Sequence, residues 1–151
     1  MEYIESSKEM ECIFCIAQEK EDSAENLIAF RGERAYVILN RYPYTSGHLM
    51  VVPFDHQPNL EKLDPETRAE MMELTTRCMT VLRGIYHPEA FNMGANIGES
   101  AGAGIKSHVH IHIVPRWGGD TNFMTVVGEV RVLPEALETT YERVKAAFSE
   151  G

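Results

Sequence analysis

Ser107-His108-Val109-His110-Ile111-His112-Ile113-Val114-Pro115 alternates polar and branched apolar residues, the period of a half-buried β-strand. At about 3.3 Å rise per residue, His108, His110 and His112 leave one face of that strand, with neighbours roughly 6.5–7 Å apart. Val109, Ile111 and Ile113 point the other way, into a core. Half of the six histidines of the chain fall within these five positions. A row of imidazoles belongs to metal binding or to chemistry near neutral pH. The fold must therefore be built around this strand, with the function beside it.

The 151 residues are one domain's worth and can bury a sizeable core, with a hydrophobic fraction of 44%. The 14 basic and 23 acidic residues leave a net charge of −9. Such a surface repels nucleic acid and anionic membranes, so neither is an expected partner. A small phosphate ligand can still bind through local backbone dipoles. The N-terminal residues lack the basic start and apolar run of a signal peptide, and no apolar stretch approaches the roughly 20 residues that span a bilayer. With three cysteines and no secretion signal, a reducing, cytoplasmic setting is expected.

The pattern predicts an α+β fold: an antiparallel sheet with one long helix between strands and a C-terminal helix. Residues 27–30 and 35–39 read as strands joined by a turn at 31–34. The acidic run 18–25 reads as a solvated loop or helix end. Residues 48–53 form the next strand after a turn-rich loop, Tyr42-Pro43-Tyr44-Thr45-Ser46-Gly47. Asp64 is placed to cap a helix with Pro65 at its first position. Met71, Leu74, Cys78, Leu82 and Ile85 form its apolar stripe, with Cys78 a core thiol, and His87-Pro88 stops it. Residues 91–97 and 107–115 supply two more strands across a glycine-rich loop. A final helix over about 134–149 carries the stripe Leu137, Tyr141, Val144 and Phe148. The whole of 1–151 reads as a single domain.

His108-Val109-His110-Ile111-His112-Ile113-Val114 resembles the signature of the histidine triad (HIT) superfamily. Three further segments extend the match over roughly residues 12–125. They are Asn40 to Pro53 with its Gly47-His48 step, Asn96 to Lys106 with its glycines, and Pro115-Arg116-Trp117-Gly118-Gly119-Asp120-Thr121-Asn122-Phe123-Met124. The last looks most like the branch of fragile histidine triad hydrolases and diadenosine tetraphosphate phosphorylases. That resemblance implies the HIT-like fold and cleavage of dinucleoside polyphosphates at the α-phosphate through a covalent nucleotidyl-histidine on His110. Water or orthophosphate would resolve the intermediate, with AMP as one product. It also implies that the carbonyl of His108 orients His110, since a ring nitrogen that attacks must keep its proton on the other. His112 is then within reach of phosphate oxygens or the leaving group, which completes a catalytic set of His108, His110 and His112. Gly102, Ala103, Gly104 and Ile105 are expected to form an anion-binding nest. Asn40 and Asn96 match positions that contact ribose and phosphates, and His48 reads as a partner of the triad. No organic cofactor is implied, and the family is commonly a homodimer.

Cys12-Ile13-Phe14-Cys15 is the second constellation. A redox role would call for a βαβ unit, which is not seen. Two thiolates need two more ligands to close a tetrahedral zinc site. The resemblance supplies them as His56 and His108, which would make the zinc a structural staple. Other readings stay open: a plain polar strand face, a metal site using all three triad histidines, a flexible turn at the glycines, and a base-stacking or core role for Trp117. At the level of function, a nucleoside phosphoramidase and a non-catalytic nucleotide sensor are the competitors.

Overall fold

A computed structural model describes residues 11–120 and 135–150 of the protein. A short helix, α1 (Ile13–Gln18), precedes the strands β1 (Ile28–Arg31), β2 (Ala35–Leu39) and β3 (Leu49–Pro53). The long helix α2 (Pro65–Tyr86) leads to β4 (Ala90–Gly94) and β5 (Ile111–Arg116), and α3 (Leu137–Glu150) comes last. The five strands form one antiparallel sheet in the order β1-β2-β3-β5-β4. This is the expected α+β architecture. Among the described residues no helix is long and apolar enough to cross a membrane.

Register explains which side chains meet. Ile38 lies opposite Met50, Met50 opposite His112, and His112 opposite Gly94, so these residues share one face. The other parity, Val37, Leu39, Leu49, Val51, Ile111 and Ile113, is buried and faces α2, which packs across β2, β3 and β5. Met71, Leu74, Cys78 and Leu82 are the buried stripe of α2. Its start is capped as expected: the Asp64 carboxylate accepts the Thr67 amide at 2.8 Å, with Pro65 at the first helical position. Glu70, one turn further, accepts the amides of Glu33, Arg34 and Ala35 at 2.6–3.2 Å, tying the β1–β2 turn to the helix. On α3, Tyr141, Val144 and Phe148 are buried.

The boundaries differ from the sequence reading in ways that matter. The triad strand was expected over 107–115, yet regular pairing begins only at Ile111. The preceding residues are drawn off the ladder: the Val109 amide donates to Gln57 O at 2.8 Å and the His108 ring bonds Pro53 O at 2.7 Å. Because β5 starts late, β4 has no ladder partner beyond Gly94 and stops there instead of running to residue 97. Helix α1 escaped the sequence reading altogether. The final helix begins at Leu137; its expected opening at Pro134 and the segment 121–124 lie outside the described residues.

Gly47 shows how tightly the loop before β3 is held. Its φ is +87°, and a Cβ there would meet Leu82 Cδ2 at 2.9 Å. Gly84, in α2, has open space around its missing Cβ. Gly47→Ala should cost about 2–4 kcal/mol through backbone strain and overpacking, whereas Gly84→Ala should add roughly 0.5–1 kcal/mol by raising helix propensity. Thermal unfolding of the two variants checks the opposite signs.

Candidate functional site

The triad histidines do not act as one row. His108 is fully buried and turned to the N-terminal segment. Its Nε2 donates to the Pro53 carbonyl at 2.7 Å, which leaves Nδ1 unprotonated. That atom lies 3.3 Å from Cys12 Sγ, 3.6 Å from Cys15 Sγ and 3.2 Å from His56 Nδ1. Cys15 Sγ is 3.2 Å from His56 Nδ1, and all four donor atoms fall within 4.8 Å of one another. A tetrahedral zinc ion sets N···N edges of about 3.3 Å and N···S edges of about 3.6 Å. The three N···S separations and the N···N separation above lie within about 0.4 Å of that frame, and the lone pair of His108 is already aimed into it. Cys12, Cys15, His56 and His108 could therefore hold a metal ion. The other two triad histidines are not part of this cluster, so the reading in which all three ligate a metal is excluded.

His110 points to the opposite side. Its Nδ1 donates to the carbonyl of His108 at 2.9 Å, the orienting contact that was expected. Its Nε2 is thereby left as a free lone pair. The ring packs against Phe14, with centroids 4.9 Å apart, and stands edge-on to His112 at 4.8 Å. That spacing is closer than the strand estimate, because the two rings lean together.

The state of His112 follows from His48. The Tyr44 amide donates to His48 Nδ1 at 3.3 Å, so the proton of a neutral His48 sits on Nε2. That proton faces His112 Nδ1 at 2.9 Å. His112 then carries its own proton on Nε2 and is a donor toward the cleft. Burial lowers the pKa of His48 and His112 to about 4 in each case, helped by neighbouring imidazoles. Burial also lowers that of His110, against the pull of the His108 carbonyl. All three rings are neutral at pH 7.

His110 and His112 line a cleft of about 880 Å³, with His48 buried behind them. Its floor is the Ile38–Met50–His112 row, and Phe14 and Leu27 add apolar wall. Asn40 and Asn96 border it as expected. The Asn40 carbonyl oxygen is already engaged: Oδ1 accepts the Tyr42 amide at 2.8 Å. The glycine-rich loop differs more. The Gly102 amide donates to Glu99 O and that of Ala103 to Gly98 O, which withdraws two of the four expected nest donors. Gly104 and Ile105 remain on the cleft wall, and Ala103 does not border it.

Phe14, Leu27, Asn26 and the loop tyrosines Tyr42 and Tyr44 are cleft residues that the sequence reading did not assign. For Phe14 a signal existed. It lies between the two cysteines, and any ligand set joining Cys12 and Cys15 to His108 must carry it to the triad.

Comparison with known proteins agrees with this geometry. A family model described as the HIT domain matches residues 21–119. Over 116 residues the chain is 45% identical to an AP-4-A phosphorylase of Mycobacterium tuberculosis, a match covering 77% of this chain and 60% of that protein. The chain thus spans three-fifths of that relative's length. A zinc-bound histidine triad family protein from Mycobacterium smegmatis superposes with a TM-score of 0.74 at 27% identity, over 94% of this chain and 96% of the other. A hypothetical histidine triad nucleotide-binding protein from Sulfolobus tokodaii does so with a TM-score of 0.70 at 26% identity, over 91% of each chain.

Replacing both cluster cysteines, as Cys12→Ser with Cys15→Ser, should abolish metal retention measured by mass spectrometry and lower the melting temperature by several degrees. Metal content equal to the parent's would refute the cluster. For His48 and His112, the folded pKa lies below the unfolded value near 6.5. The unfolded chain therefore takes up protons that the folded chain refuses, and the stability present above pH 6.5 is lost as pH falls toward 4. Ring-proton NMR should find both imidazoles neutral at pH 6 and titrating below pH 5, and midpoints near 6.5 would contradict the assignment.

Proposed function

Because the chain belongs to the HIT domain family, we propose that it cleaves dinucleoside polyphosphates such as diadenosine tetraphosphate by nucleotidyl transfer through His110, with orthophosphate as the acceptor. The observation that carries this reading is the 2.9 Å bond from His110 Nδ1 to the His108 carbonyl. It holds the proton on the far nitrogen and leaves Nε2 open to the cleft as a nucleophile. His110 Nε2 forms a bond to the α-phosphorus while the bridging P–O bond breaks and ATP departs. His112 Nε2–H, held by His48, donates to the departing oxygen and stabilises its charge. Orthophosphate then attacks the same phosphorus, the N–P bond breaks, and ADP is released with His110 restored. The wall of Phe14, Leu27 and Ile38 accommodates the base of the transferred nucleotide, and Asn40, Asn96, Gly104 and Ile105 border the sugar and phosphates.

Zinc is the metal we assign to Cys12, Cys15, His56 and His108, given the thiolate and imidazole donor set. When bound it supplies a structural cross-link between the N-terminal segment and the triad. Phosphorolysis is favoured over hydrolysis by the 45% identity to a protein named as a phosphorylase. A homodimer has an available pairing edge in the exposed strand β4.

Incubation with diadenosine tetraphosphate should yield ADP and ATP only when orthophosphate is present. AMP and ATP without orthophosphate would identify a hydrolase instead. His110→Asn should abolish turnover while nucleotide affinity stays within about tenfold, a change of about 1.4 kcal/mol at most. A variant that keeps substantial activity would remove His110 from the nucleophile's role, and an unreactive parent protein would overturn the proposal.

A further inference from the structure

Two tyrosines stand at the rim of the cleft in an arrangement that simple surface placement does not account for. Tyr42 and Tyr44 line the cleft, yet they are 83% and 82% exposed, the most exposed large apolar side chains among the described residues. Exposed rings usually sit on free loops, and this loop is clamped at each step. The Tyr42 amide is held by Asn40 Oδ1, and Arg41 donates to the Glu25 carbonyl at 2.7 Å. Thr45 Oγ1 donates to Pro115 O at 2.8 Å, and Ser46 Oγ accepts the Glu135 amide at 2.9 Å. The Tyr44 ring itself is stacked on buried His48, with centroids 5.2 Å apart and planes at 15°. It is thus an aromatic plate fixed on its inner face and open on its outer one.

Its position relative to the nucleophile is equally defined. From His110 the rings run to His112, to His48 and to Tyr44, with centroid steps of 4.8, 5.1 and 5.2 Å. In the transfer reading above, the His112 N–H meets the departing oxygen, which directs the leaving group along this row. Phe14, part of the apolar wall that suits the transferred base, lies at the other end of this row, packed on His110 with centroids 4.9 Å apart. We propose that Tyr42 and Tyr44 form a stacking subsite for the distal nucleoside, the base that leaves with the polyphosphate, and that this subsite sets the preference for dinucleoside over mononucleoside polyphosphates. The proposal rests on the nucleotidyl-transfer reading above. Clamping the loop beforehand is what an aromatic subsite requires, since the ordering cost is then not charged to binding. Stacking on aromatic side chains also tolerates any base.

The test compares two substrates that share the transferred adenylyl group and the polyphosphate: diadenosine tetraphosphate and adenosine 5′-tetraphosphate, which lacks the second nucleoside. The quantity read is the ratio of their kcat/KM values, in which effects on the shared part cancel. The parent should favour the dinucleotide by at least about fivefold, the lower end of a single stacking contribution. Tyr42→Ala with Tyr44→Ala should bring the ratio close to one, while Tyr44→Phe should keep it. Tyr42→Ala alone, at a ring surrounded by solvent, should lower the ratio part of the way in a protein whose melting temperature is unchanged. A double variant with the parent's ratio, or a parent ratio near one, overturns the subsite while leaving nucleotidyl transfer intact. A parent that turns over neither substrate overturns the transfer reading and the subsite with it.

Discussion

One hydrogen bond organises the site: His108 Nε2–H to the carbonyl of Pro53 at 2.7 Å. It joins a residue three positions ahead of the regular strand β5 to the end of β3, and it decides which nitrogen of a fully buried ring is free. With the proton committed to Nε2, the Nδ1 lone pair must face Cys12, Cys15 and His56, where a buried polar atom without a partner would carry a penalty of about 1–3 kcal/mol. The backbone of the same residue then serves the other side, its carbonyl receiving His110 Nδ1–H. The candidate metal cluster and the cleft-facing imidazole of His110 are thus built on opposite groups of a single residue. Movement of the cluster necessarily moves the carbonyl that holds His110.

The sequence's three equivalent-looking histidines therefore occupy two tautomers and face three different surroundings. His108 is a proton donor on Nε2 and a lone pair on Nδ1, and His110 has the reverse arrangement. His112 again carries its proton on Nε2, because His48 donates to its other nitrogen. Such a division lets neutral imidazoles at one pH present a lone pair to the cysteine cluster, a lone pair to the cleft and an N–H donor beside it. Burial keeps them neutral, since a charged ring here would lose its hydration, and for His108 and His112 neighbouring imidazoles add to that cost.

The loop from Asn40 to Gly47 is the second organiser. Gly47 is required there because its backbone adopts a positive φ against Leu82 and Tyr86. The tight entry places His48 under Tyr44 and beside His112. From that one turn follow the tautomer of His112 and the rigid display of the rim tyrosines. The sheet contributes the floor, and the helix-facing side of the same strands anchors it to α2, so the site rides on the best-packed part of the molecule.

Much of this was legible in the residues. Alternation around His108 to Pro115, the Asp64-Pro65 start of α2, and the apolar stripes of α2 and α3 are periodic signals, and periodicity depends only on local geometry. The α+β class is legible there, and the structure brings together the four residues expected as metal ligands and sets His110 against the expected carbonyl. What was not legible is whatever depends on partners distant along the chain. The late start of β5 arises from Pro53 and Gln57. Helix α1 has too few residues for a pattern and is held by its contacts. The engaged amides of Gly102 and Ala103 reflect a turn closing on itself. A sequence can state that three imidazoles share a strand. Only the tertiary structure decides their protonation, because a tautomer is set by what lies within about 3 Å of each nitrogen, and here those partners include Pro53 and His48, 55 and 64 residues away along the chain.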